Sequence, residues 1–415
     1  MQKITPQVQD YSWGSTRWIP EFLGLPVVEG KPWAELWYGA HPKAPSLLEG
    51  KNIDLLQYLA RDPEHLLGSR VVHIFGPQLP FLLKLLAAAE PLSIQCHPSR
   101  RQAEEGYQRE NQLGLPLDSP QRNYKDPNHK PEILLALYPC TALCGFRTPS
   151  SIMHQFQRLT PIVPPLRSFF PFLEEGNLSA FYQAFLSLPK DTLGAWIHTC
   201  KMYFLQRLAE VTGEDRWFCQ LAERYPEDSG CFAPYYLNLV ELSPGEGLFL
   251  KAGVLHAYLK GFGIELMANS DNVLRGGLTS KHMDREELLK VVLFEPEIPT
   301  VIRAFQKRIE AQVGACWEAQ YPVPVGEFSL SMFQADKVVE GISLSVSGPE
   351  ILLCVEGRWE VRNESASGGI LLKRGEACFL DATVSKVFLA GNAPDYVSKV
   401  SSNASLVRAR VGVNG

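Results

Sequence analysis

The chain has 415 residues, of which 45% are hydrophobic and 20% charged, and this length and composition predict a soluble globular protein of two or three domains. Its 40 basic and 45 acidic residues leave a net charge of -5 and form no basic stripe, so nucleic acid is not an expected partner. No segment approaches the roughly 18 apolar residues that cross a membrane, and no secretion signal is visible, so we expect a cytoplasmic protein without a membrane partner.

Nine cysteines are scattered along the chain without a C-x-x-C pair, which predicts reduced thiols and no disulfide framework. Cys140 and Cys144 are four residues apart, but no second pair with zinc-finger spacing follows them. A structural zinc at this pair is therefore not expected.

The first region, residues 1–148, mixes short strands with helices. The runs FLLKLL and EILLAL predict strands, and NIDLLQYLARDPEHLLGS predicts two helices separated at Pro63. In PLSIQCHPSR, residues 91–100, a strand carries Gln95 and His97, whose Cα atoms would lie about 6.5–7 Å apart with both side chains on one face. The two residues are either ligands of one metal ion or a core histidine hydrogen-bonded to a glutamine.

The strand that carries this pair is predicted to end at Pro98. Ser99 and Gln102 fit a capping box, so a polar helix begins there. Cys96 lies between Gln95 and His97 and points to the opposite face, where its thiol is expected to pack in the core.

A carboxylate opens the next buried strand, in NYKDPNHKPEILLAL. Glu132 follows a proline at the start of an apolar run, and an unpaired buried carboxylate is very costly. Either a neighbouring lysine, such as Lys125 or Lys130, or a metal ion satisfies it.

Residues 149–228 read as a helical module. NLSAFYQAFLSLP places Leu178, Phe181, Phe185 and Leu188 on one helical face, and DTLGAWIHTCKMYFLQRLAEVTG predicts one helix from a cap at Asp191 to a stop at Gly213. The aromatic face is expected to pack against the rest of the protein and not to form a ligand pocket.

Strand patterns return at about residue 231. His256 stands inside an otherwise apolar strand after the turn SPGEG and the bend KAG, a typical place for an inward-pointing ligand. Nineteen residues on, Arg275 is followed by two glycines, so its guanidinium could approach a ligand closely. DREELLKVV then predicts a connecting helix.

From about residue 306, short strands recur with turns that contain Gly, Asn, Ser and Asp, as in an antiparallel sandwich or small barrel. No histidine occurs after His282, so this region cannot repeat a histidine-based site.

A Gln, His, Glu and His set offers nitrogen and oxygen ligands with one negative charge and no sulfur. Zn²⁺ accepts such ligands, although a glutamine oxygen is uncommon for it, and Mn²⁺ or Fe²⁺ would also fit. Four protein ligands still leave room for a substrate oxygen if the coordination number rises, which favours a catalytic site.

Five motifs together resemble type I mannose-6-phosphate isomerases, also called phosphomannose isomerases: QDYSWGS, AELWYGAHPKAPS, PLSIQCHPSR, NHKPEI and GVLHAYLKGFGIELMANSDNVLRGGLTSKH. The resemblance implies an enzyme of mannose metabolism that interconverts mannose 6-phosphate and fructose 6-phosphate, with one zinc ion per chain. Mannose 6-phosphate made in this way would supply mannose for GDP-mannose. The small-molecule partner would be the sugar phosphate, and the protein a monomer.

The resemblance also implies a mainly β fold with an inserted α-helical domain. A metal-bearing cupin-like, or jelly-roll, domain would span residues 1–148 and 229–305. The helical domain would span 149–228, and a metal-free cupin-like domain 306–415.

Matched motif by motif, the resemblance implies four metal ligands, which are Gln95, His97, Glu132 and His256. It implies three residues of the catalytic pocket, which are Arg275, Lys130 and Asp271. Candidates for contacts with the substrate and its phosphate are Lys84, Ser93, Glu265 and Lys281.

Isomerisation moves one proton between C2 and C1 and another between O1 and O2, through an enediolate. A metal ion and Arg275 would place positive charge where negative charge develops. Lys130 is a candidate base because like charges nearby favour a neutral amine. Asp271, Glu265 and a metal-bound hydroxide are the other candidates, and the sequence does not choose among them.

Two other classes of protein fit parts of the pattern. A non-catalytic sugar-phosphate-binding protein could use the same scaffold, because fold does not determine function. An Fe²⁺ oxygenase of the cupin class is the second, but its usual site has two histidines and one carboxylate without a residue such as Gln95.

Overall fold

A computed structural model describes residues 1–364, 368–393 and 403–412. The strands before residue 150 are β1 (Gln2–Thr5), β2 (Gln7–Gln9), β3 (Glu35–Tyr38), β4 (Leu47–Leu48), β5 (Phe81–Ala88), β6 (Ile94–Cys96), β7 (Glu132–Ala136) and β8 (Cys140–Phe146). The next are β9 (Leu237–Leu242), β10 (Glu246–Leu250), β11 (His256–Ala268), β12 (Leu274–Gly277) and β13 (Val301–Arg303).

The strands of the last hundred residues are β14 (Phe305–Ile309), β15 (Cys316–Tyr321), β16 (Ser329–Ala335), β17 (Val338–Ser345), β18 (Glu350–Glu356), β19 (Arg358–Asn363), β20 (Gly369–Lys373), β21 (Ala377–Leu380), β22 (Lys386–Asn392) and β23 (Ala404–Arg410). Short strands do recur here, as predicted, and their pairings with one another are antiparallel.

The helices are α1 (Trp18–Leu23), α2 (Leu55–Leu59), α3 (Pro63–Leu67), α4 (Ser69–Phe75), α5 (Arg100–Gln112), α6 (Pro149–Leu159), α7 (Phe170–Glu174), α8 (Leu178–Leu186), α9 (Lys190–Leu205), α10 (Gly213–Arg224), α11 (Ala233–Tyr236) and α12 (Arg285–Val291). Short 3₁₀ turns span Pro164–Phe169 and Ser229–Phe232. Among the described residues, no helix is both long enough and apolar enough to span a bilayer.

In the described part of the chain, the strands form three antiparallel sheets. An eleven-stranded sheet contains β2, β3 and β5 to β13, an eight-stranded sheet runs in the order β14-β15-β16-β23-β18-β21-β1-β4, and a four-stranded sheet runs β17-β22-β19-β20. One core cluster is shared by the first two sheets, with Leu36 and Leu83 from one and Leu330 and Ile351 from the other. The predicted class, mainly β with an inserted helical region, is confirmed.

The division into domains stays a prediction. The eight-stranded sheet consists mostly of strands after residue 304, but β1 and β4 lie at its edge. Gln2 pairs with Phe379 and Ile4 with Ala377. The first strand described therefore pairs with the last region on one side, through β21, and with β4 on the other.

The helical region packs as predicted on its aromatic face. Leu178, Phe181 and Phe185 are buried, and Leu188 is partly buried against the same cluster. Phe181 and Phe185 stack with ring centroids 6.0 Å apart. The aromatic side chains of α8 therefore form core and not a ligand pocket.

The prediction of one long helix from Asp191 to Gly213 is wrong. The helix α9 begins at Lys190 and ends at Leu205, and α10 begins at Gly213 after a Thr212 cap. Thr212 and Asp215 form a capping box, in which each side chain accepts a hydrogen bond from the other residue's backbone amide. This box starts a new helix at the residue expected to end one.

Asp215 also anchors α10 to α6, and this contact predicts a pH-dependent stability. Arg158 donates two hydrogen bonds to the carboxylate at 2.9 and 2.8 Å, and Tyr235 donates a third at 2.9 Å. Burial alone raises the pKa of Asp215, but these contacts and the cap outweigh burial and lower the pKa below 3.8. The carboxylate therefore stabilises the folded state above about pH 4, and this stabilisation is lost as the pH falls through the lowered pKa.

We expect Asp215→Asn to lower the free energy of unfolding by about 2–3 kcal/mol at pH 7, a cost near the low end for a buried pair because Arg158 is 32% exposed. Urea unfolding at pH 7 and at pH 3 measures the difference, which should shrink at the lower pH. Glu223→Gln, a change in an exposed pair with Lys201, should stay within about 0.5 kcal/mol of wild type. Equal effects of Asp215→Asn at both pH values would contradict the assignment.

Candidate active site

Three neighbouring strands bring three predicted residues together. Gln95 on β6 lies opposite His256 on β11 and also opposite Arg275 on β12. Residues opposite each other in adjacent strands point to the same face of a sheet, so these three side chains form one row. Cys96 is fully buried in the core cluster with Ile94, as predicted, and burial raises the pKa of its thiol.

His97, Glu132 and His256 form a buried cluster, which shares His256 with this row. His97 Nε2 lies 3.4 Å from Glu132 Oε1, and His256 Nε2 lies 3.6 Å from Glu132 Oε2. The two imidazole centroids are 5.0 Å apart. Among the residues that the structure describes, these three are the only group of three His, Cys, Asp or Glu side chains close enough to hold one metal ion.

The imidazoles are oriented for metal binding. His97 Nδ1 lies 2.7 Å from the carbonyl of Asn272, and His256 Nδ1 lies 2.9 Å from the carbonyl of Val254. Each Nδ1 must carry a proton to donate to a carbonyl, which leaves the Nε2 lone pair facing Glu132. Burial lowers the pKa of both imidazoles, to about 4 for His256, so both are neutral at pH 7.

One observation shows directly that His97, Glu132 and His256 fit a divalent cation. His97 Nε2 is fully buried and has no hydrogen-bond partner within the described part of the chain. A buried nitrogen without a partner is costly, and a metal ion would satisfy it. Among the described residues, Cys140 and Cys144 belong to no such cluster.

Glu132 carries the negative charge of the cluster. Lys130 Nζ lies 2.8 Å from Glu132 Oε1, so one of the two lysines considered as partners does pair with it. Burial raises the pKa of Glu132, but Lys130 and His97 outweigh burial and hold the pKa well below its ordinary value. The carboxylate is ionised, as a metal ligand must be.

A cleft of about 1020 Å³ opens above the cluster. Seven of the predicted residues line it, namely Lys84, Ser93, Gln95, Lys130, Asp271, Arg275 and Lys281. The helical region forms part of the wall through Leu186, Lys190 and Arg224, a contribution that the sequence did not predict. The cleft is large enough to enclose a sugar phosphate.

Arg275 is a half-buried cation without a counterion. Its side chain makes no hydrogen bond or ion pair with any residue that the structure describes, and burial lowers the pKa of the guanidinium. A guanidinium carries five donors in a planar fork and is costly to desolvate without an acceptor. An anionic ligand in the cleft would supply that acceptor.

Asp271 is already paired. Its carboxylate lies 2.9 Å from Lys43 Nζ and 3.6 Å from His41 Nε2. Burial raises the pKa of Asp271, but contacts with His41 and Lys43 lower it below its ordinary value. Neither His41 nor Lys43 was predicted as a site residue, although both lie in the motif AELWYGAHPKAPS.

Lys84 is held by two carboxylates. Its Nζ lies 2.8 Å from Glu265 and 3.5 Å from Glu35, and it stands over the ring of Trp37. Burial raises the pKa of Glu265 despite the opposing effect of Lys84, and Glu265 is not part of the cleft lining. The positive charge of Lys84 is therefore balanced before any phosphate arrives.

Comparisons with known proteins agree with this geometry. Residues 1–149 match the family model described as phosphomannose isomerase type I, catalytic domain. The mannose-6-phosphate isomerase of Salmonella typhimurium is 38% identical over 94% of this chain and 97% of its own length. The human enzyme of the same name is 32% identical over 91% of this chain and 92% of its own.

Solved structures of mannose 6-phosphate isomerases are also similar to this chain, in fold and in sequence. A crystal structure of mannose 6-phosphate isomerase bound with zinc and yttrium superimposes with a TM-score of 0.85 at 35% identity, and the match covers 100% of both chains. A zinc-bound holo structure of mannose 6-phosphate isomerase also matches with a TM-score of 0.85, at 36% identity and over 99% of both chains. These matches confirm the predicted fold class.

Proposed function

The chain belongs to the type I mannose-6-phosphate isomerase family and interconverts mannose 6-phosphate and fructose 6-phosphate, and from this premise we propose how its own residues do so. The observation that carries the proposal is Arg275, an unpaired guanidinium that lines the cleft and lies in the row of Gln95 and His256. Positive charge held there without a counterion is suited to an enediolate, which gains negative charge as the reaction proceeds.

We propose that the metal is zinc, held by His97, Glu132, His256 and Gln95. Three of these side chains converge on one point, and Gln95 lies opposite His256 with its side chain on the cleft side. When bound, zinc supplies Lewis-acid charge to the sugar oxygens. The zinc bound to relatives of 35–36% identity supports this choice over Mn²⁺ or Fe²⁺.

Lys130 is our proposed carrier of the proton that moves between C2 and C1. Its Nζ is at the border between the cleft and the cluster, 2.8 Å from Glu132. Asp271 is a weaker candidate because its pairing with Lys43 and His41 lowers its pKa, which makes a poorer base. Glu265 faces Lys84 and lies outside the cleft lining.

The phosphate anchor is proposed at the mouth of the cleft. Burial lowers the pKa of Lys281, and Arg275, Lys125 and Lys43 lower it further by like-charge repulsion. Of these four cations, only Lys43 forms an ion pair with the carboxylate of Asp271 in the described structure. The positive charge that remains suits a phosphate dianion.

We expect Lys281→Gln to raise KM for mannose 6-phosphate about tenfold with little change in kcat, because a contact with the phosphate is the same in the ground and transition states. Steady-state kinetics with coupled detection of fructose 6-phosphate measures both constants. Lys51→Gln, a change at a lysine over Tyr58 outside the cleft, serves as the control and should leave KM unchanged. An unchanged KM in Lys281→Gln would place the phosphate elsewhere.

The function itself is tested by exchange of the C2 proton. Incubation with mannose 6-phosphate in deuterium oxide should give fructose 6-phosphate and incorporate deuterium. A non-catalytic sugar-phosphate-binding protein would bind the sugar without product or exchange, and this alternative is not favoured. An iron oxygenase would consume oxygen instead.

The monomeric state and the cytoplasmic location stay predictions. Light scattering of the purified protein tests the first, and fractionation of the source cells tests the second.

A further inference from the structure

One buried carboxylate of the last region reaches toward the catalytic segments. Glu327 lies between β15 and β16 and is 6% exposed. Its Oε1 atom accepts a hydrogen bond from Arg100 Nη2 at 2.8 Å and lies 2.6 Å from His129 Nε2. Although burial raises the pKa of Glu327, His129 and Arg100 lower it to about 2, so the side chain is ionised at neutral pH.

The two partners of Glu327 flank the metal cluster in sequence. Arg100 is the first residue of α5, three residues after His97, and His129 lies three residues before Glu132. A single carboxylate oxygen therefore joins the segments that carry two of the proposed metal ligands. The carboxylate is buried and accepts from two donors on one oxygen, which suits it to hold both segments, although Arg100 is 42% exposed and its contact is partly screened by solvent.

The loop of His129 is held on its opposite side as well. The side-chain Nδ2 of Asn272 donates to the backbone carbonyls of Asp126 and Asn128. The backbone carbonyl of Asn272 accepts from Nδ1 of His97. The loop thus lies between Asn272 and Glu327. Lys130 follows His129 directly, so the position of its amine depends on both attachments.

Glu327 itself does not meet the substrate. It is absent from the lining of the 1020 Å³ cleft and lines a separate cavity of about 50 Å³ with Arg100, Asn128 and His129. That space is too small for a sugar phosphate. Any effect of Glu327 on turnover must therefore act through the groups that it holds.

We propose that Glu327 is a positioning residue for the isomerase reaction, which sets the placement of Lys130 by holding His129 and Arg100 from the last β region. The inference rests on the proposed role of Lys130. It gives this region, which has no metal cluster of its own among its described residues, a part in the active site.

The test compares Glu327→Gln with Glu318→Gln. Glu318 is also buried in the last region, but its carboxylate contacts Ser331 and Gln320 and no catalytic segment. We expect Glu327→Gln to lower kcat about tenfold, as the loss of an outer-shell partner typically does, with KM and zinc content near those of wild type. Glu318→Gln should keep its kcat even if its melting temperature falls.

A double-mutant cycle excludes a merely structural effect. His129→Gln and the double variant Glu327→Gln/His129→Gln should show the same loss of kcat per folded, zinc-loaded protein as the single variants, because the two residues act as one unit. Losses that multiply, or a wild-type kcat in Glu327→Gln, would overturn the inference. Lys130→Met, measured in parallel, tests the proposed role of Lys130 separately from that of Glu327. If Lys130→Met retains full kcat, the proposal that Lys130 carries the proton is wrong, whatever Glu327→Gln does.

Discussion

Replacing Arg275 with glutamine is expected to lower kcat about 10²- to 10³-fold, the usual cost of removing one preorganised donor from a developing oxyanion. The guanidinium lies in the row of Gln95 and His256 and has no partner in the described structure, so its charge is available to the substrate. Zinc content should stay at wild-type level, because Arg275 donates nothing to the metal cluster. Steady-state kinetics and elemental analysis measure the two quantities.

Two further variants of arginine sharpen this experiment. Arg275→Lys keeps the charge but loses the planar fork, so it should recover only part of the loss. Arg303→Gln changes an exposed arginine that pairs with Glu246 and should leave kcat unchanged. If Arg275→Gln affects KM alone, the guanidinium binds the phosphate and does not stabilise the transition state.

Glu132→Gln is expected to remove the metal and with it about 10³-fold or more of kcat. The substitution keeps the shape of the side chain but removes the negative charge between His97 and His256, and it leaves Lys130 without its partner at 2.8 Å. The Lewis-acid charge of a metal ion stabilises the transition state by several kcal/mol, and losing about 4 kcal/mol lowers the rate about 10³-fold. Elemental analysis of purified protein and the coupled assay measure both effects.

Chelation of the wild-type protein provides the parallel measurement, since turnover should disappear with the metal and return when zinc is added. Glu318→Gln is the matched control, because it is the same change at another buried glutamate away from the cluster. Normal zinc content and normal turnover in Glu132→Gln would show that this carboxylate is not a ligand.

Much of the fold could be predicted from local patterns. The apolar runs of β5 and β7, the separation of α2 from α3, which begins at Pro63, and the capping box at Ser99 all depend on residues close in sequence. The prediction of one helix ending at Gly213 was wrong because it also used only local signals. Gly213 is a typical helix stop, but Thr212 directly before it is the cap that begins α10. Short-range rules decide where elements begin, but two such rules can compete at one position.

The site divides in a similar way. The grouping of His97, Glu132 and His256 could be predicted because each is a polar residue at the end of an apolar strand, where water cannot satisfy it. The partner of Lys84 could not, because Glu265 lies opposite it on β11 and that register is not set by spacing along the chain. The partner of Asp271 could not either, because Asp271 and Lys43 lie in two separate loops that meet only in the folded structure. Glu327 lies 198 residues from His129, and nothing in its own surroundings in the sequence indicates that contact.

The pairing of β1 with β21 bears on how the chain folds. Gln2 is synthesised long before Phe379, yet they are neighbours in one sheet. The strand β1 must therefore wait, unpaired on this side, until β21 has left the ribosome. Long-range closure of this kind is slow, because a large loop must be ordered before any pairing energy is gained. Residues 306–415 made alone would lack β1 and leave the outer edge of β21 open to another strand, so the sheet is completed on this side only by a strand made much earlier.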